Sequence, residues 1–192
     1  MRLLAIAAAG AAAATLAACA DMGMGQSSDA GASSAAGAGA PAAATSPAAM
    51  PTTAMDYVTE AGRSDMFEIQ SSQLAASRSA SAQVKDFAAT MIRDHTNSTQ
   101  LVKAAATQAG MTPAAPSLDS RRQAMLDALS GAAGADFDRL YLHQQLMAHQ
   151  EALALHQGYA QNGDQSALRT VAGQIAPVVN QHLTMLQGLG AA

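Results

Sequence analysis

Val84, Ala88, Met91, His95, Ser98, Val102, Ala105 and Ala109 follow one another in alternating steps of four and three. Such spacing places them on one side of a helix packed along a seam against neighbours. The same stepping returns in Leu168, Ala172, Ile175, Val179, His182, Leu186 and Leu189. Tyr57, Ala61, Ser64, Glu68, Ser71 and Ala75 make a comparable stripe. No period-two alternation competes with these patterns, so an all-α fold is expected.

Breaking residues divide the pattern into elements. A first long helix is expected over 55–77 and a second over 81–109, with Ser79 or Ser81 as the cap of the second. Gly110 ends the second helix, and Pro113 and Pro116 prevent it from resuming. Ser117 is expected to cap a short helix reaching Leu129, with Leu118, Met125, Leu126 and Leu129 as its apolar side. Gly131 and Gly134 then break the chain. A third long helix is expected over 135–161, with Asp136 and Asp138 in its first turn, where the helix dipole favours negative charge. Asn162 and Gly163 close it, and Asp164 is expected to cap a fourth long helix, kinked at Pro177. The links joining the long helices in pairs are short, so each pair is an antiparallel hairpin. The connection between the pairs is long enough to cross the whole bundle, as in ferritin-like folds. The expected fold is therefore a ferritin-like four-helix bundle with a short extra helix in that connection.

The region before this domain has a different composition. Arg2 precedes an apolar run from Leu3 to Ala18, which is rich in Ala and shorter than the roughly 20 apolar residues of a membrane-spanning helix. Leu16-Ala17-Ala18-Cys19 follows, and Cys19 is the one cysteine in the sequence. Together these residues resemble a bacterial lipoprotein signal. The resemblance implies cleavage after residue 18, acylation of Cys19, and attachment to the periplasmic face of the outer membrane, since Ala20 rather than an aspartate follows the cysteine. Several acyl chains make release negligible, because each buried methylene contributes about 0.8 kcal/mol. Residues 19–54, mostly Ala, Gly, Ser, Pro, Thr and Met, are expected to form a tether with too little apolar surface to fold. Met22 and Met24 are too few to make a soft-metal site there. The folded domain is expected over 55–192.

The net charge of −4, the absence of Trp and the lack of a basic cluster argue against nucleic-acid binding. Gly-rich phosphate loops and nucleophile–His–carboxylate signatures are absent, and no catalytic residue stands out. With Cys19 acylated, no thiol remains for redox or metal chemistry. The chemistry of the domain must then come from polar groups on the helix seams. His95 and His182 lie on their stripes, Glu68 lies on the first, and the third long helix offers His149 and Glu151.

Counting residues along a crossover bundle places Glu68 level with His182. It places His95 and His149 about 9 Å further in, whereas a simple up-down-up-down bundle would bring His95, His149 and His182 within about 6 Å of one another along the axis. The first reading of these groups is an internal network, with Glu68 paired to His182 and His95 bonded to Ser98, a carboxylate or water. That reading expects no cofactor. The second is a mononuclear site drawn from Glu68, His95, His149 and His182, holding Zn, Cu or Fe. His143 and His156 are expected at the rim, and Met66, Met91, Met147 and Met185 as core fillers. Arg93-Asp94 and Arg121-Arg122 are expected to be solvated.

Several segments resemble one family. They are Met66-Phe67-Glu68-Ile69, Val84-Lys85-Asp86-Phe87-Ala88, Met91-Ile92-Arg93-Asp94-His95-Thr96, His149-Gln150-Glu151 and Pro177-Val178-Val179-Asn180-Gln181-His182-Leu183. They are similar to the bacterial exported ferritin-like domain of unknown function, DUF4142, which is labelled an outer-membrane protein. The resemblance covers about 55–189 and implies a ferritin-like bundle in the cell envelope, with no activity attached. Ferritin-like di-iron centres use Glu-x-x-His on two helices. Here Ile92 and Val179 stand three residues before His95 and His182, which argues against a di-iron carboxylate centre. The expected function is a lipid-anchored, non-enzymatic envelope module that engages an envelope partner or supports stress tolerance. The alternative is a mononuclear metal-binding or redox protein.

Overall fold

The computed structural model describes residues 51–191, and the described residues contain five helices and no strand. They are α1 (Ala54–Arg78), α2 (Ala82–Gln108), α3 (Ser120–Gly131), α4 (Gly134–Asn162) and α5 (Ser166–Gly188). The signal-like segment 1–18, Cys19 and the tether to residue 50 lie outside the described residues. No helix among the described residues is long and apolar enough to cross a membrane.

Most helix ends follow the expected chemistry. Thr53 accepts from Asp56 N at the start of α1, and Ser81 accepts from Val84 N at the start of α2. Two caps differ. Asp119, not Ser117, caps α3 by accepting from Arg122 N, so this helix starts two residues later than expected. Asp164 does not cap α5; its carboxylate instead accepts the Tyr159 hydroxyl at 2.9 Å. Gly134, expected to be a break, opens α4 with φ of 56°, a left-handed conformation open to glycine. α5 runs unbroken through Pro177, which lies on its exposed side.

Specific contacts fix the topology. Tyr57, near the start of α1, meets His156 and Tyr159 near the end of α4. Ser72, near the end of α1, meets Tyr141 near the start of α4. α1 and α4 are therefore antiparallel. Since each hairpin reverses direction, α2 and α4 run the same way, and the chain between them crosses the length of the bundle. This is the expected ferritin-like arrangement.

The crossing is fastened at both ends of α3. Arg122, expected to be solvated, is only 6% exposed and pairs with Glu60 of α1 and Asp119. At the other end, the Arg78 guanidinium donates to the carbonyls of Leu129, Ser130 and Ala132 and lies 4.9 Å from the centre of the Phe137 ring.

The seam stripes are the buried faces: all six named positions on α1 are buried, as are Val84 to Ala105 on α2 and Leu168 to Leu186 on α5. One apolar cluster, built around Tyr57, Tyr159, Leu168 and Val179, occupies the end of the bundle where α4 turns into α5. A second, with Phe87, Met91, Leu129, Phe137 and Leu186, occupies the other end. The histidines stand between them. Met91 fills the core as expected, whereas Met185 is exposed.

Candidate metal centre

His95 on α2, His149 on α4 and His182 on α5 meet at one level of the bundle. One ring nitrogen from each lies within 4.8 Å of the other two. His149 Nε2 is 3.5 Å from His95 Nε2 and 3.3 Å from His182 Nδ1. All three rings are at most 4% exposed. The axial offset expected between His182 and the other two rings is absent: the three ring nitrogens converge.

Each ring is held from behind by an acceptor. His95 Nδ1 donates to Asp65 Oδ1 at 2.8 Å, and Asp65 Oδ2 accepts the Thr99 hydroxyl at 3.0 Å. His149 Nδ1 donates to the Gln145 carbonyl at 2.8 Å. His182 Nε2 donates to Asp94 Oδ2 at 3.0 Å, and Arg93 grips both oxygens of Asp94. A carbonyl or carboxylate oxygen can only accept, so the outer nitrogens carry the protons. The inner nitrogens then present three lone pairs to one another with no donor between them. Such a cluster requires a cation, either a proton on one ring or a metal ion. Outer partners that fix tautomer and orientation are the usual support of metal-binding histidines.

Electrostatics separates the three rings. Burial pushes the His149 pKa well down, and His95 and His182 push it further. Burial also lowers His182, against the pull of Asp94. Burial opposes protonation of His95 too, but Asp65, with Glu68 and Asp94 behind it, outweighs this and raises its pKa. Of the three rings, His95 alone has its pKa raised.

Glu68, a candidate ligand by sequence, stands outside the convergent set. Its Oε1 lies 3.5 Å from His149 Nδ1, the nitrogen turned away from the other histidines. Glu68 is one turn along α1 from Asp65, which is the residue level with His95. Burial pushes its carboxyl up to about 7, and His95 and the Gln145 amide work against that rise. The expected Glu68–His182 pair does not form, because Asp94 takes His182. Glu151 is half exposed and paired with Arg121.

Sequence reasoning missed Asp65 and Asp94. Asp65 was legible on a second stripe, Tyr57, Ala61, Asp65, Glu68, Ser72 and Ala75, which has the same helical spacing. Asp94 carried no such signal: it is 23% exposed and reaches across to α5 instead of along its own helix. His156 corrects the expectation of a rim residue. It is 2% exposed, and its Nδ1 shares a 2.9 Å hydrogen bond with the Tyr57 hydroxyl. His143 is exposed, as expected.

A cleft of about 400 Å³ between α1, α2 and the stretch 113–117 reaches Asp65 and Thr99, so it leads from the surface to the back of the His95 ring. Gly62 lets this stretch lie close on α1: a Cβ there would sit 3.2 Å from that of Pro116.

Solved structures share the architecture. The DUF305 fragment from Deinococcus radiodurans is 15% identical with a TM-score of 0.62, over 71% of this chain and 93% of that one. CopM in its Cu(II)-bound form is 19% identical with a TM-score of 0.61, over 71% and 95%. CopM in its apo form is 20% identical with a TM-score of 0.60, over 71% and 95%. At these identities the likeness is one of fold. No curated protein matches the sequence. Residues 39–189 match the model of the family described as domain of unknown function (DUF4142), and the chain belongs to that family.

Proposed function

We propose that this protein is an envelope metal-binding module that holds one transition-metal ion between His95, His149 and His182. The observation that carries the reading is the convergence of three buried ring nitrogens whose outer nitrogens all lie against acceptors. Imidazole suits copper and zinc, and a site without inner carboxylates is poor for hard cations. The fold is shared with CopM, which has been solved with Cu(I), Cu(II) and Ag bound. That binding is a property of CopM, and the metal reading of this chain rests on its own residues.

Three protein ligands leave coordination positions for water or an exchanging ligand, the pattern of sites that do more than brace a fold. When bound, a copper ion would supply one-electron chemistry and a zinc ion Lewis acidity. The domain is held at the periplasmic face of the outer membrane by acylated Cys19, a placement supported by Leu16-Ala17-Ala18-Cys19 and the tether composition.

The test is elemental analysis of the full chain after equilibration with Cu(II) or Zn(II) and gel filtration. About one equivalent is expected to be retained, with Cu(II) held more tightly than Zn(II). His95→Gln, His149→Gln and His182→Gln should each release it, while Glu68→Gln should retain it. Wild-type protein that retains no metal would overturn the reading and leave a non-enzymatic interaction module.

A further inference from the structure

One buried cluster plays no part in the three-histidine centre. Tyr57 and His156 share a 2.9 Å hydrogen bond in the apolar cluster at the α4–α5 turn, and both are at most 2% exposed. The Tyr57 ring stacks on Tyr159, with centroids 4.0 Å apart and planes 11° from parallel. The Tyr159 hydroxyl in turn donates to Asp164, an exposed residue, at 2.9 Å. The line therefore runs from a buried phenol with a base attached, through a stacked ring, to a carboxylate in water.

Burial pushes the His156 pKa down to about 4 and raises that of Tyr57. At neutral pH both partners are uncharged, and in the tautomer that carries its proton on Nε2 the lone pair of His156 Nδ1 faces the phenolic proton. Losing an electron from a buried phenol that keeps its proton would leave a strongly acidic cation in an apolar site, which is costly. A hydrogen-bonded imidazole removes that obstacle, because the proton moves along an existing bond as the electron leaves. Tyr141 provides a contrast within the same chain. It is equally buried, but its hydroxyl meets Ser72, which is no base for this proton.

We propose that Tyr57 and His156 form a proton-coupled redox site that takes up oxidising equivalents in the bundle interior and passes them through Tyr159 to the surface. In the first step a one-electron oxidant, such as an oxygen-derived radical, takes one electron from Tyr57. The phenolic O–H bond breaks and the proton forms a bond to His156 Nδ1, leaving a neutral phenoxyl radical and an imidazolium. In the second step Tyr159 gives one electron to Tyr57, His156 returns its proton to the Tyr57 oxygen, and the Tyr159 proton passes to the Asp164 carboxylate. A small-molecule thiolate outside then gives Tyr159 one electron and becomes a thiyl radical, and the proton returns from Asp164 to the Tyr159 oxygen.

His149 and His156 are seven residues apart on α4, about 10 Å of helix rise, so the site is close enough to the histidine centre to protect it from such radicals. The proposal does not depend on metal binding.

The test uses the metal-free full chain, oxidised by flash illumination with tris(bipyridine)ruthenium and persulfate and followed by EPR and transient absorption. A neutral tyrosyl radical should form in the wild type and in Tyr141→Phe. Its yield should fall about tenfold in Tyr57→Phe, and its rate of formation about tenfold in His156→Leu, the equivalent of about 1.4 kcal/mol in the barrier. Tyr159→Phe should lengthen the radical's lifetime, and D2O should slow its formation in the wild type. Unchanged yield in Tyr57→Phe, or unchanged rate in His156→Leu, would overturn the proposal. Where those variants fail to fold, the solvent isotope effect on the wild type decides: a rate equal in H2O and D2O overturns it. With metal absent throughout, the outcome is separate from that of the metal-retention experiment.

Discussion

Asp65 shows how much of the candidate centre depends on residues that would never touch a metal. Its carboxylate fixes the His95 ring, and Thr99 fixes the carboxylate. Asp65→Asn keeps an acceptor but loses the charge, and affinity for Cu(II) should fall about 10- to 100-fold with stoichiometry unchanged, measured by competitive titration. His156 carries a separate pH dependence. Its folded pKa, pushed down to about 4, lies below the ordinary value of 6.5. The unfolded chain therefore binds the proton first, and stability is lost as pH falls from about 6.5 towards 4. The loss should be roughly 3 kcal/mol, an order-of-magnitude figure for a buried group. Denaturant unfolding of His156→Gln across that range should lack this part of the slope, since glutamine keeps an acceptor for Tyr57 and does not titrate.

Among the elements, the α4–α5 turn is the most tightly specified. Gly163 lies against the face of the Tyr159 ring, and a Cβ there would sit 2.5 Å from ring carbons. The ring cannot retreat, because Tyr57 is stacked on its other face. Gly163→Ala should therefore cost about 1–3 kcal/mol by overpacking, read from the urea midpoint at unchanged m-value. α3 is specified differently. Its packing is modest, and it is held by Arg122 at its start and Arg78 beyond its end. Sequence reading treated Arg121-Arg122 as one solvated pair because neighbours on a helix look alike in sequence. Only the docking of α3 on α1 distinguishes Arg122, buried between two carboxylates, from Arg121, which pairs with Glu151 at the surface.

For the whole molecule, the histidines come from both hairpins, α2 on one side and α4 and α5 on the other. A metal ion would tie the halves together and bind the native state alone. At a free ion concentration 100 times Kd, stability should rise by about 2.7 kcal/mol and Tm by roughly 8 °C. Calorimetry with and without Cu(II) checks this, and His149→Gln should abolish the rise. The helices, the hairpins and the crossover were legible in the sequence because their causes are local. The stepping of Ala88, Met91, His95 and Ser98 marks a face, Gly110 and Gly163 mark ends, and a long link demands a crossing. His95, His149 and His182 were legible as inward positions for the same reason. The centre itself was not legible. Whether His149 and His182 are level with His95 depends on how far the two hairpins slide past one another, and residue counting through the long connection between α2 and α4 cannot resolve that. Which nitrogen of each ring points inward depends on Asp65, the Gln145 carbonyl and Asp94, two of which arrive from other helices. The sequence by itself determined which side chains face the axis; tertiary packing decided which of them meet, because side-chain direction is set by local periodicity while axial level and ring orientation are set by contacts between distant segments.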